Sequence, residues 1–242
     1  MSVFSLDGMR VAITGARGGI GASVAQLCVE QGANTLFLAD LEAPSELANK
    51  LGGGSAIIVT HAVNMTERDS VEAWASELGA VDALIDCAAI CPFDDWVASD
   101  WDAECDRVFA VNLRGPINLV RAFMPMMTAQ GGGRIALVGS IAGRIGGVAA
   151  SAHYVMSKGG VHSFVRWAAK RGAAHNVTVN AVAPGVVDTP MTANQSFDYE
   201  QLPMGRKATA LEIAGPLAFL ISPAASYVNG AVLDVNSGMH FS

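Results

Sequence analysis

Val11-Ala12-Ile13-Thr14-Gly15-Ala16-Arg17-Gly18-Gly19-Ile20-Gly21 decides the reading of this chain. A short strand-forming run breaks into a glycine-rich turn, and Ile20, Val24, Leu27 and Val29 then recur at helical spacing. Glycine in such a turn lets backbone approach an anion closely. The helix that follows offers unbonded N–H groups and a partial positive charge at its N-terminus. Strand, glycine turn and helix in that order mark the place where an open α/β sheet receives the phosphates of a dinucleotide.

The alternation continues outward from this unit. Apolar or β-branched runs recur at Thr35 to Ala39, Ala56 to Thr60, Ala83 to Cys87, Arg134 to Val138, Val177 to Val182 and Ala231 to Val235; with Val11 to Thr14 they make seven expected strands. Helical spacing lies between them, as at Val108, Val111, Leu119 and Phe123 before the fifth. Parallel neighbours need long crossover connections, so the alternation predicts an α/β fold of the doubly wound Rossmann type: a seven-stranded parallel sheet flanked by helices on both faces. The chain of 242 residues contains no evident linker, internal repeat or low-complexity tract, and residues 1–242 are read as a single dinucleotide-binding and catalytic domain. The one irregular stretch is Met191 to Pro203.

Composition narrows the partners. With 51% hydrophobic and 15% charged residues the chain can bury a large core. The net charge of −7 and the scattered Lys and Arg leave no electrostatic footprint for nucleic acid. No apolar run approaches the roughly 20 residues of a membrane span. The opening residues carry no basic stretch followed by a long apolar run, so no membrane partner and a cytoplasmic location are expected. Cys28, Cys87, Cys91 and Cys105 have neither zinc-site spacing nor the density of a disulfide scaffold. They are read as reduced, mostly buried thiols, and no metal is expected.

At the end of the second expected strand stands Asp40, in Leu38-Ala39-Asp40-Leu41, placed to accept hydrogen bonds from the adenosine ribose hydroxyls. A 2′-phosphate there would meet like charge, at a cost on the order of 4 kcal/mol per pair at about 4 Å and an effective dielectric near 20. NAD is therefore expected over NADP. Arg17 is the opposing hint, able to reach a 2′-phosphate, but Leu41 supplies no second basic group, and Arg17 is read as a solvated loop charge at the cofactor site.

Ala152 to Ala174 reads as a helix that carries Tyr154 and Lys158 at i and i+4, on one face. A phenol has an unperturbed pKa of about 10. A cation within about 4 Å contributes roughly 4 kcal/mol at an effective dielectric near 20, or about three pKa units. The pairing predicts a phenol tuned toward neutrality, where a general acid/base works best.

These segments together resemble the short-chain dehydrogenase/reductase family, in its short single-domain branch, over nearly the whole chain. The T-G-x-x-x-G-I-G turn stands at Thr14 to Gly21, the active-site serine segment at Gly139-Ser140-Ile141-Ala142-Gly143, and the Y-x-x-x-K pair at Tyr154 to Lys158. Asn112, in Val111-Asn112-Leu113-Arg114-Gly115, resembles the fourth catalytic member, and Pro184-Gly185-Val186-Val187-Asp188-Thr189 resembles the segment that holds the nicotinamide carboxamide. The resemblance implies that Tyr154 exchanges a proton with the substrate oxygen and that Lys158 lowers its pKa and binds the nicotinamide ribose. Ser140 would orient the substrate oxygen, and Asn112 would hold a water linking Lys158 to solvent. The cofactor site implied comprises Gly15, Arg17, Gly19, Ile20, Gly21, Asp40, Asn64, Met65, Cys87, Ala88, Ala89, Tyr154, Lys158, Pro184, Gly185, Val187 and Thr189. The family is commonly tetrameric, packing the helices that hold Asn112 and Tyr154, so a homotetramer is expected.

The chain departs from the family on the adenosine side. Asp86-Cys87-Ala88-Ala89 stands where N-N-A-G is usual, and Asn64-Met65 where Asp-Val is common. Asp86 is read as a structural, hydrogen-bonded carboxylate at a strand end, and His153 as a packing or pocket-edge residue. Ser140, Tyr154, Phe93 and Met191 are expected to contact substrate, with Trp96, Phe197, Tyr199 and Met204 as further apolar lining. Met191 to Pro203 holds no Lys or Arg to clamp an anion, and Arg144 is a weak exception nearby. The expected activity is an NAD-dependent secondary-alcohol dehydrogenase or ketone reductase on a small to medium, largely apolar substrate. The alternatives are a 3-oxoacyl-carrier-protein reductase-like enzyme using NADPH and a non-catalytic cofactor-sensing protein.

Overall fold

The computed structural model describes residues 2–147, 149–198, 200 and 202–242. Seven strands, β1 (Arg10–Thr14), β2 (Thr35–Asp40), β3 (Ile57–Ala62), β4 (Ala83–Asp86), β5 (Gly133–Val138), β6 (Val177–Pro184) and β7 (Val232–Val235), form one sheet in the order β3-β2-β1-β4-β5-β6-β7. Every neighbouring pair is parallel, from Val11 opposite Leu36 and Ala83 around β1 to Val182 opposite Leu233 at the far edge. The sequence expectation of a seven-stranded, doubly wound parallel sheet holds. The order turns back on itself between β1 and β4, which opens a crevice above their C-terminal ends.

Both faces of the sheet are covered, which explains why its strands are continuous apolar runs rather than alternating ones. On one face, Ala12, Phe37 and Leu84 pack with Val71 and Trp74 of α3 (Arg68–Leu78), Leu119 and Phe123 of α5 (Gly115–Ala129), and Val161 and Val165 of α7 (Ala152–Gly172). On the other, Val11, Ile13, Leu36 and Leu38 pack with Val24, Ala25 and Cys28 of α1 (Gly19–Glu30) and Ile213, Leu217 and Leu220 of α8 (Ala210–Ile221). The remaining helices are short: α2 (Ser45–Leu51), α4 (Trp101–Phe109) and α6 (Ala142–Ile145).

Two helices carry local irregularities. A π-helical turn, Ala110–Arg114, joins α4 to α5 and turns Asn112 inward, where it is fully buried. At the other end of the site, α7 starts at Ala152 and gives way to a 3-10 turn at Ala173–His175. Asn176 follows at φ 56°, a left-handed C-terminal stop that asparagine tolerates.

Phe123 lies at the centre of the first layer, fully buried and edge-on to Trp74 with ring centroids 5.2 Å apart. Phe123→Ala is expected to cost about 3–5 kcal/mol of unfolding free energy, measured by urea denaturation; a loss under about 1 kcal/mol would show that this layer collapses around the gap.

Candidate active site

The crevice begins where β1 ends. Gly15 has a left-handed backbone (φ 64°), and a Cβ there would stand 2.6 Å from the backbone nitrogen of Ala88, so the turn rests directly on the segment after β4. A Cβ on Gly21 would overlap the Gly15 carbonyl oxygen, and one on Gly19 would come 2.8 Å from the Thr189 methyl. No side chain caps the N-terminus of α1 and no acidic residue occupies its first turn, which leaves its N–H groups to an anion. A groove of about 500 Å³ runs along this turn, lined by Gly15, Gly19, Ile20, Gly21, Asp40, Asn64, Met65, Cys87, Ala88 and Ala89, and ends toward Thr189 and Met191. Its glycine cradle, open helix terminus and carboxylate at one end fit a dinucleotide.

The adenosine end is built on Asp40. Its Oδ2 accepts the Arg17 backbone N–H at 3.0 Å and its Oδ1 accepts that of Leu41 at 2.8 Å, so the carboxylate is held at the tip of β2. The Arg17 side chain turns to Glu42, in an exposed ion pair with Nη1 2.5 Å from Oε2, and does not line the groove wall here. Asn64 spends its side chain locally, with Oδ1 accepting from Thr66 N at 3.1 Å and Thr66 Oγ1 at 2.8 Å.

Asp86, the first residue of the departure from N-N-A-G, is buried. Its Oδ1 accepts from Thr14 Oγ1 at 2.6 Å and from Ala88 N at 3.1 Å, the structural role read from its position. Burial raises this carboxyl above its ordinary value, outweighing the two hydrogen bonds and the charge of Lys158.

Beyond Ala89 the groove opens into a second cavity of about 150 Å³ that contains Ser140, Tyr154 and Lys158. The two share Ile20, Cys87, Ala89, Thr189 and Met191, so they form one continuous crevice. Pro184, Gly185 and Val187 line this second cavity, as do Phe93, Met191 and Phe197 of the expected lining. Trp96 and Met204 do not; both are largely exposed, and Met204 borders a separate groove of about 590 Å³ along β7 that holds no other expected site residue. Tyr199 lies outside the described residues. Asn112 also stands apart from the cavity. Its Nδ2 donates to Ile90 O (2.9 Å) and Ser157 Oγ (3.1 Å) and its Oδ1 accepts from Ile90 N (3.0 Å), which fixes the floor segment after β4.

Lys158 Nζ donates to Val138 O at 2.8 Å and stands 5.7 Å from the centre of the Tyr154 ring. Burial brings its ammonium down to about 8, against the opposing pull of Asp86, Cys91 and Cys87. The phenol moves the other way from the sequence expectation. Burial, then the nearby Cys91 sulfur, push Tyr154 above its usual value, and a hydrogen bond with Ser140 recovers only part of the shift. The ammonium is committed to a carbonyl instead of the phenol, so desolvation wins.

Arg144 is no clamp for an anionic substrate: its guanidinium lies 3.5 Å from Asp234 and donates to Val232 O at 3.1 Å, away from the cavity. His153 packs, as expected, fully buried, stacked on Trp101 and 3.0 Å from Asp94 Oδ2. Cys28, Cys87, Cys91 and Cys105 are all free; burial raises Cys28 to about 12 and Cys91 to about 11. Among the described residues no cluster could hold a metal ion, and no helix is long and apolar enough to cross a membrane.

Several wall residues had no signal in the sequence. Met239, from the C-terminal segment, and Thr192 line the second cavity. Lys207 reaches back to donate to Thr192 O at 3.2 Å and covers the Phe197 ring at 5.2 Å, so a cation does secure the irregular Met191 to Pro203 segment. Contacts across long loops leave no local pattern to read.

Comparison with known proteins bears on the whole chain. A family model described as enoyl-(acyl carrier protein) reductase matches residues 15–240. Galactitol 2-dehydrogenase (L-tagatose-forming) of Cereibacter sphaeroides is 38% identical over 98% of this chain and 97% of its own. The chain belongs to the short-chain dehydrogenase/reductase family. The 3-oxoacyl-[acyl-carrier-protein] reductase FabG of Vibrio harveyi is 35% identical over 98% of this chain and 99% of its own. Among solved structures, a candidate NAD(P)-dependent gluconate 5-dehydrogenase of Beutenbergia cavernae, with NADP at low occupancy, superposes with a TM-score of 0.90 at 34% identity, covering 98% of this chain and 99% of that one. A short-chain type dehydrogenase/reductase of Mycobacterium marinum covers all of both chains, with a TM-score of 0.91 at 28% identity. The fold and the family's nicotinamide-dependent oxidoreductase class follow for this short-chain dehydrogenase/reductase.

The raised Asp86 carboxyl gives a signed prediction. A carboxyl whose pKa is higher folded than unfolded favours the fold below its unfolded value, about 3.9, and loses that contribution as pH rises through the folded value. Charged Asp86 therefore costs stability at neutral pH, and an amide, which accepts the same two hydrogen bonds, does not. Asp86→Asn is expected to raise Tm at pH 7 by about 2–4 °C for each kcal/mol relieved, with the gain shrinking toward pH 4. Melting curves at both pH values check it, and a lower Tm at pH 7 contradicts it.

Proposed function

We propose that this protein is an NAD-dependent oxidoreductase that interconverts a secondary alcohol and a ketone on a small to medium, largely apolar substrate, with Tyr154 as general acid/base. The observation that carries the reading is the continuity of the crevice, from Asp40 and the glycine turn at one end to Ser140, Tyr154 and Lys158 at the other. When bound there, nicotinamide accepts or supplies a hydride at C4. Toward the alcohol, the neutral Tyr154 phenol gives its proton to the carbonyl oxygen as the carbon receives hydride; toward the ketone, the phenolate takes the hydroxyl proton. A phenol pushed up by burial rests in the proton-donating form. Ser140 Oγ accepts the Ala142 N–H at 3.1 Å and lies within hydrogen-bonding reach of Tyr154, so its hydroxyl can turn from the phenol to the substrate oxygen. Lys158 keeps a positive charge beside the phenol and the expected ribose position.

Phe93, Ile141, Val186, Met191, Phe197 and Met239 make the larger apolar part of the wall, and they favour an apolar substrate over the polyol of the galactitol relative. A second reading, an NADPH-dependent 3-oxoacyl-carrier-protein reductase, draws on the Vibrio harveyi relative. Against it stand the carboxylate of Asp40 at the adenosine end and the pairing of Arg17 with Glu42, which leave a 2′-phosphate facing negative charge. We further propose a homotetramer packed on α7, supported by the exposure of Met156 and Trp167 on that helix.

Following NADH absorbance over a panel of apolar secondary alcohols, ketones and polyols should reveal turnover with the apolar members. The same turnover should fall about 10²-fold or more in Tyr154→Phe while NADH binding persists. Full activity in that variant would refute the role of Tyr154, and a preference for polyols would refute the substrate class. Asp40→Ala is expected to narrow the preference for NAD over NADP at least about 10-fold, given the like-charge cost it removes; unchanged NADP affinity would remove Asp40 from the argument.

A further inference from the structure

The N–H groups of β5 alternate between its two neighbours. Arg134 N bonds Asp82 O toward β4 at 3.0 Å, whereas Gly133 N bonds Asn176 O toward β6 at 3.2 Å. Past the end of the strand the β6 side continues, with Gly139 N bonding Val182 O and Ile141 N bonding Pro184 O, each at 2.8 Å. Ser140 N–H, between them, makes no backbone hydrogen bond among the described residues, and the β4 ladder has already ended at Asp86, which pairs with Leu137. A buried N–H without a partner is costly, so something must replace the missing carbonyl.

His162 does so. Its Nε2 accepts the Ser140 N–H at 3.4 Å, and its ring lies so close to Gly139 that a Cβ there would overlap Nε2. The residue is 3% exposed and sits one turn beyond Lys158 and two beyond Tyr154, on the same face of α7.

We propose that His162 is a positioning residue for Ser140: its imidazole stands in for the absent strand and sets the direction in which Ser140 Oγ presents its proton to the substrate oxygen. The inference rests on the reading of Ser140 as the group that orients substrate. An accepting Nε2 needs its proton on Nδ1 and an uncharged ring. Burial holds the imidazole down to about 4, helped by the positive charges of Arg144 on α6 and of Arg166 and Lys158 on α7, and opposed by Asp234 on β7. Across the ordinary working range the ring is a neutral acceptor. The same contact explains the glycine at 139, since a side chain there would displace the ring.

Two substitutions separate hydrogen bonding from packing. His162→Phe keeps a buried ring and removes the acceptor, whereas His162→Gln removes the ring and keeps an acceptor near the Nε2 position. We expect the Phe variant to lose about 10-fold in kcat, the rate equivalent of one hydrogen bond, with Kd for NADH unchanged, and the Gln variant to stay within about 3-fold of wild type. Wild-type kcat in the Phe variant, or an equal fall in both, overturns the proposal and leaves His162 as packing. Should the Phe variant fail to melt cooperatively, a folded Gln variant decides alone: near-wild-type kcat supports the hydrogen bond and a 10-fold fall overturns it. Tyr154→Phe, run in parallel, keeps the two readings apart. If wild-type turnover survives that change, the proposed chemistry fails, whatever the His162 variants show.

Discussion

The hydrogen bond from Thr14 Oγ1 to the buried carboxylate of Asp86 joins the last residues of β1 and β4 at the point where the strand order reverses. Everything above the sheet depends on how these two ends are held. Thr14 leads into the glycine turn, Asp86 into the floor segment of Cys87 to Ile90, and Gly15 rests on the backbone of Cys87 and Ala88 because it has no Cβ to hold them apart. Asn112 clamps the far end of the same floor through both backbone groups of Ile90. The tie places a carboxylate in low dielectric, and the positive charge of Lys158 offsets only part of that cost.

Charge is distributed economically along the crevice. At the adenosine end Asp40 is held by two backbone N–H groups, and the nearest guanidinium is diverted to Glu42. At the other end Tyr154, Lys158 and His162 follow one another along a single face of α7, each with an altered proton affinity and each shifted first by burial. Desolvation favours the uncharged form of all three, a phenol that keeps its proton, an ammonium more easily lost and an imidazole that accepts. The surrounding wall is apolar, so interactions made inside it are weakly screened.

Much of this was legible in the sequence, and the reasons are physical. Period and composition placed all seven strands within two residues of their observed ends, because strands covered on both faces must be uniformly apolar and parallel neighbours must be separated by helices. The turn at Thr14 to Gly21 and the i, i+4 pair on α7 were readable because each is a local constraint: a left-handed backbone, a close approach, one helix face. Asp40, Ser140, Tyr154 and Lys158 all fall on the crevice wall.

What the sequence determined by itself is therefore the alternation of strands and helices and the glycine turn, set by local pattern, together with the identity of the groups along the crevice, which the family resemblance implies. Only the tertiary structure decided which partner each group takes. Arg17 goes to Glu42, Arg144 to Asp234, Lys158 to Val138 rather than the phenol, and His162 to the backbone of Ser140. The pKa of Tyr154 reversed for the same reason: a spacing reports which charges are neighbours, while the depth of burial that outweighs them arises only once distant segments close over the site.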